Sequence, residues 1–197
     1  MKRLEKFNFK FKGSRDYVHG TDIYKAFYDY CLRGVGAGFE SMQISFHDVM
    51  RNNLELVAEC EDEEIKVLIS ATRKDGSKQK FYLMESDDAP TGRYAYDEDA
   101  VVNGWTLEED GLSAILENPS SEYTTIESLV ALNKAFLTKL HQPDGKWLFA
   151  RLKIKGFLPV HCGPIRLTTN ASSNLRLVRS KIEIDGQSFG EIYFSLT

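Results

Sequence analysis

One pattern is written twice in this chain, and it constrains the fold more than any other feature. A helix pattern studded with tyrosine and alanine, Thr21 to Arg33, leads into alternating strands and an Asp75-Gly76 turn. A second helix pattern, Thr124 to His141, leads into further strands and Asp185-Gly186. The two turns, at 75 and 185, stand 110 residues apart. Two copies of so long a unit describe two related modules, because solenoid repeats are shorter and more numerous. The predicted division is 1–90 for the first module and 91–197 for the second, which opens with an acidic connector.

Composition narrows the classes. With 197 residues, 42% of them hydrophobic, the chain can bury one large core or two small ones. No apolar run reaches the roughly 20 residues that span a bilayer, and Met1-Lys2-Arg3-Leu4-Glu5-Lys6 lacks the apolar stretch of a secretory signal. The expectation is a soluble, cytoplasmic protein. Cys31, Cys60 and Cys162 form no CxxC pair, which favours free thiols over a disulfide frame or a zinc site. Charge is uneven: residues 1–84 carry 14 basic and 13 acidic groups, 85–122 carry 1 and 11, and 123–197 carry 10 and 5. A net charge of −4 and the absence of a basic cluster interleaved with aromatics argue against nucleic acid as a partner.

The elements follow from hydrophobic period. Phe7, Phe9 and Phe11 alternate with Lys6, Asn8, Lys10 and Lys12, the pattern of a half-buried strand. Thr21 is placed to cap a helix with Ile23, Phe27, Tyr30 and Cys31 along one stripe. Strands are predicted at Phe39 to His47, Leu54 to Glu59, Ile65 to Thr72 and Gln79 to Met84, the last two joined through Asp75-Gly76. In the second module, part of the acidic connector, which holds Tyr94, Tyr96, Val101, Val102, Trp105 and Leu107, is expected to pack as the opening strand. A helix apolar around most of its circumference comes next, followed by strands at Trp147 to Lys155, Ile165 to Asn170, Leu175 to Ile184 and Phe189 to Leu196.

This order, a greasy helix followed by its own antiparallel sheet, resembles the hotdog fold. The local match is the segment Phe157-Leu158-Pro159-Val160-His161-Cys162-Gly163-Pro164, which looks like a strand crossing of the acyl-carrier-protein dehydratases of fatty-acid synthesis. Pro159 would end a ladder there and Gly163 would supply a tight turn. The fold class implied is α+β, a tandem or double hotdog in which each module is a long buried helix wrapped by an antiparallel sheet. The resemblance implies acyl-thioester chemistry at the module interface with no cofactor, and acyl-CoA or an acyl-carrier protein as partner. A monomeric pseudo-dimer or a homodimer would satisfy it.

Asp16, His19, Gly20, Thr21 and Asp22 cluster ahead of and within the first helical turn, much as related hydratases carry an Asp and a His just before theirs. Dehydrating a 3-hydroxyacyl thioester needs a base, an acid for the departing hydroxyl, and donors for the enolate oxygen. His19 suits the first role, and Asp16, Asp22 or Glu127 the second. Gly20 and Thr21, with the helix dipole, suit the third. Each has a plainer reading. His19 can be a loop residue satisfied by a carbonyl, Asp22 can offset the helix dipole, and Thr124-Thr125-Ile126-Glu127 fits a capping box. Arg151, Lys153 and Lys155 alternate along one strand face and suit the phosphates of coenzyme A or an acidic carrier, or simply a solvated face. No metal site is expected, at His47 and His161 or elsewhere. The leading expectation is a dehydratase or hydratase of 3-hydroxyacyl thioesters. A thioesterase activating water through a carboxylate and a non-catalytic acyl-binding or scaffold protein are the alternatives.

Overall fold

The first unit, Met1–Tyr96, contains β1 (Arg3–Phe7), β2 (Phe11–Lys12), α1 (Gly20–Tyr30), β3 (Phe39–Phe46), β4 (Leu54–Val57), β5 (Val67–Arg73), β6 (Lys78–Glu85) and β7 (Arg93–Tyr94). The structure is a computed structural model that describes residues 2–35, 38–60, 65–170 and 176–197. Leu175, the expected start of one strand, lies outside the described residues. An antiparallel sheet runs in the order β1-β4-β6-β5-β3, and β2 pairs separately, in parallel, with β7.

The three alternating phenylalanines do not make one strand. The ladder of β1 with β4 closes at Phe7 and Leu54, after which the Phe9 N–H donates to Asn53 Oδ1 at 2.8 Å. Phe9 is still buried, with Asn8 and Lys10 exposed, but the chain rejoins a ladder only at Phe11, against β7. By then the phase has inverted: Phe11 is half-buried and Lys12 wholly buried. The expectation that Lys12 faces solvent is therefore corrected, because a distant strand sets its orientation.

α1 buries Ile23, Tyr24 and Phe27 and runs into a π-helical turn, Cys31–Val35, whose Cys31 is also buried. Phe27 meets Phe81 of β6 edge to face at 5.1 Å, a geometry that aromatic quadrupoles favour. His19, not Thr21, holds the N-cap backbone conformation (φ −76°, ψ 138°), so Thr21 already belongs to the first turn. The β5–β6 hairpin closes where Asp75-Gly76 predicts it. Asp75 Oδ1 accepts from Ser77 N–H at 2.9 Å, and Gly76 takes φ +81°, a region open to glycine without penalty.

The second unit, Asp97–Thr197, contains α2 (Glu98–Val101), β8 (Thr106–Leu107), β9 (Ser113–Leu116), α3 (Thr125–His141), β10 (Trp147–Ile154), β11 (Ile165–Thr169), β12 (Val178–Ile184) and β13 (Gln187–Leu196). Its antiparallel sheet runs β10-β13-β12-β11-β9-β8, and α3 lies against β9, β10 and β11. Of the stretch from Tyr94 to Leu107, only Thr106–Leu107 forms a strand of this unit, the short and exposed β8, and the first strand with a buried face is β9, with Ala114 and Leu116 inside. Tyr94 pairs within the first unit, and Asp97 caps α2 by accepting from Asp99 and Ala100 N–H. Helix α3 is buried at Ile126, Leu129, Leu132, Phe136 and Leu137. Its start is fastened by Glu127, whose carboxylate accepts from the Thr124 N–H at 2.9 Å and hydroxyl at 2.7 Å.

Conformation and close approach of backbone together require one glycine of this unit, Gly190. Gly163 sits at a bend of the crossing before β11, without a left-handed φ and with the Asp185 side chain over it. Gly190 lies at φ +145° beside β10, where a Cβ would strike the Lys153 carbonyl oxygen and come within 2.9 Å of Ile154 Cα. Gly190→Ala should accordingly lower unfolding free energy by about 2–3 kcal/mol, from overpacking and backbone strain together, in urea titration. At the cap, Glu127→Ala should cost about 1 kcal/mol while Glu127→Gln, which preserves the reciprocal bond, stays within about 0.5 kcal/mol of the parent.

Candidate functional site

The inverted phase of β2 delivers Lys12 to the start of α1. Its ammonium is 0% exposed, a placement that costs several kcal/mol unless the charge is answered. It donates to Thr21 Oγ1 at 2.9 Å and pairs with Asp22 Oδ1 at 3.4 Å. Aromatic faces complete the enclosure, with the Tyr96 ring centroid at 4.1 Å and that of Tyr94 at 5.8 Å. Tyr94 Oη in turn lies 2.8 Å from both oxygens of Asp22, as donor to the carboxylate. The β2–β7 pairing, Lys12 opposite Tyr94, is what makes this cage possible. Arg93 on β7 reinforces it by donating to the Arg15 carbonyl at 2.6 Å.

His19 shares the same hydroxyl. Its ring, in a residue only 6% exposed, holds Nδ1 at 2.7 Å from Thr21 Oγ1. Tyr17 stacks against one side at 6.5 Å, and Tyr96 is tilted toward the ring at 6.3 Å. Lys12 occupies one lone pair of the hydroxyl, and the second can accept Nδ1–H. In that tautomer Nε2 carries the lone pair that can accept a proton. When Nε2 takes a proton, the Nδ1–H bond to Thr21 is retained, so one hydroxyl serves both states of the ring. His19, Thr21, Asp22 and Lys12 thus form a contiguous set able to accept a proton, hold a positive charge and donate hydrogen bonds.

The other candidate residues are placed differently. Gly20 is the first residue of α1, and Asp16 is exposed in the loop before it. Glu127 is engaged in the capping box of α3, in the second unit. Arg151 and Lys153 lie on β10, the first half-buried with its guanidinium 5.5 Å from the Tyr193 ring and the second exposed; Lys155 follows the strand and is exposed. Sequence reasoning missed Lys12, Tyr94 and Tyr96. A lysine at the end of an alternating strand reads as solvent-facing, and only the pairing with a segment far along the chain reverses it. Among the described residues no group of three or more His, Cys, Asp or Glu could hold a metal ion, and no helix is long and apolar enough to cross a membrane.

The cage predicts an asymmetry in stability. Asp22→Ala should cost about 2–3 kcal/mol, since it strands a buried ammonium, whereas Lys12→Met, which removes the charge, should cost less than about 1 kcal/mol. Equal losses in denaturant unfolding would show that Asp22 does not balance Lys12.

No family model matches this chain, and no curated protein matches it. Solved structures do. One is the pyran synthase domain from module nine of the sorangicin pathway, with TM-score 0.54 and 9% identity over 100% of this chain and 97% of that one. Another is the dehydratase domain of PpsC from Mycobacterium tuberculosis in complex with C12:1-CoA, with TM-score 0.51 and 9% identity over 98% and 92%. The tesB protein of Mycobacterium avium subs paratuberculosis is similar at TM-score 0.49 and 11% identity over 96% and 91%. At such identities the shared property is the path of the backbone, and by that path this chain is a hotdog-fold protein.

Proposed function

We propose that this chain acts on acyl thioesters, and specifically that it dehydrates or hydrates a 3-hydroxyacyl group carried on coenzyme A or an acyl-carrier protein. The observation that carries the reading is His19: a nearly buried imidazole at a helix start, its Nδ1 held by a hydroxyl that a buried lysine also holds. Such a ring is oriented before substrate arrives, which lowers the cost of placing the base. In the dehydration direction, Nε2 of His19 takes the α-proton. The electron pair left behind forms the enolate, then the double bond as the 3-hydroxyl departs as water with a proton from the Lys12–Asp22–Tyr94 set. The positive end of α1 and the Lys12 charge favour the enolate. On this reading the two units are tandem hotdog modules, and the protein works in the cytoplasm as a monomer or homodimer.

The buried charges also bear on the scaffold alternative. A protein that had lost its chemistry would gain from replacing Lys12 and Asp22 by apolar residues, yet both are present. The thioesterase alternative would activate water through Asp16, Asp22 or Glu127; Asp22 receives Tyr94 and Lys12 and Glu127 receives Thr124, so Asp16, exposed in the loop before α1, is the carboxylate that reading would use.

The purified protein offered a 3-hydroxyacyl thioester should generate enoyl absorbance, and offered a saturated acyl thioester should release no thiol. His19→Ala should slow the first reaction by about 10²–10⁴-fold with the unfolding midpoint preserved. Thiol release without enoyl formation would replace the dehydratase by a thioesterase. An unchanged rate in His19→Ala would remove His19 as the base, and silence across several chain lengths would leave a binding module.

A further inference from the structure

A small cleft at the start of α3 in the second unit has no part in the reading above. It has room for about 50 Å³ and is lined by Ser120, Ser121, Thr125, Ser128, His161 and Cys162 among others. That volume exceeds the roughly 10–15 Å³ that a single water requires. The crossing after β10 is pinned to the helix here: the Val160 carbonyl accepts the Thr125 N–H at 2.9 Å and its hydroxyl at 3.2 Å. This anchorage brings His161 and Cys162 to the cleft. Burial pushes the Cys162 thiol up from its ordinary value, opposed by a hydrogen bond with the Thr125 side chain and reinforced by Asp185.

Ser128 is the unexplained group. It is 1% exposed, lines the cleft, and its Oγ has no hydrogen-bond partner. A helical serine ordinarily folds its hydroxyl back onto the carbonyl of the preceding turn. Ser128 does not, although its own N–H bonds to Thr124 O at 3.0 Å. Leaving a buried hydroxyl unmatched costs about 1–3 kcal/mol, a cost that an occupant of the cleft would remove. Alongside Pro119 and Tyr123, the lining brings hydroxyls, an imidazole and a thiol to the positive end of a seventeen-residue helix. Of the nearby carboxylates, Glu127 is turned onto the helix cap and Asp185 lies over Gly163.

The geometry points to a second binding site at the start of α3, taking a small oxyanion of phosphate or carboxylate size that accepts a hydrogen bond from Ser128 Oγ and is faced by His161. It is independent of the thioester reading. Asp185 works against an anion, so binding is weak, with a dissociation constant on the order of millimolar.

Cys162 serves as the internal reporter. The full-length protein is alkylated with iodoacetamide in chloride, inorganic phosphate or acetate at matched ionic strength, and modification of each cysteine is read by peptide mass spectrometry. Phosphate or acetate at about ten times its dissociation constant should slow Cys162 about tenfold while leaving Cys60 unchanged. Phosphate alone would identify a tetrahedral ligand, and acetate alone a carboxylate. Ser128→Ala removes a hydroxyl without a protein partner, so its melting temperature should match or exceed that of the parent and its Cys162 should lose the protection. Equal rates in all three salts, or undiminished protection in a folded Ser128→Ala, would overturn the site. As a second measurement, phosphate should raise the melting temperature of the parent but not of Ser128→Ala, and an identical rise in both would also overturn it.

Discussion

A charge taken out of water must be answered, and the first unit is organised around that requirement at Lys12. No single neighbour meets it. Thr21 supplies a lone pair, Asp22 a counter-charge and Tyr96 an aromatic face. These groups come from a helix start and from the segment around β7, so two parts of the unit far apart in sequence meet at the ammonium. The same assembly aims the Thr21 hydroxyl at His19. Charge balance and the orientation of the imidazole are therefore parts of one arrangement.

The two helix starts solve the same problem in opposite ways. Each must deal with amides that have no partner inside the helix. At α3 a capping box closes the first turn, and a carbonyl of the crossing takes the Thr125 amide. At α1 the cap residue's side chain bonds no backbone amide of the first turn, and its ring meets the Thr21 hydroxyl instead. Stability is the evident result at α3.

Local chemistry was readable from the chain. The Asp75-Gly76 and Asp185-Gly186 turns, the buried stripe of α1, the cap at Glu127 and most strands follow from period and turn residues, with ends differing by one to three residues. His19, Thr21 and Asp22 were legible as a group because they are neighbours in sequence. What could not be read was set by pairings across long separations. Lys12 has the pattern of a solvent-facing residue until β7 lies beside it, and Tyr94 and Tyr96 look like the beginning of the next module until they cover Lys12.

The parallel pairing of β2 with β7 has a consequence for how this polypeptide could be divided or rearranged. A cut made just after β6, where the main sheet of the first unit is already complete, would look harmless by counting strands. It would nevertheless carry off both tyrosines and open the aromatic side of the Lys12 cage, although Thr21 and Asp22 would stay with the ammonium. The natural edge of that unit is thus drawn by two phenol rings lying beyond its last sheet strand, and insertions or fusions should respect them as they would a core residue.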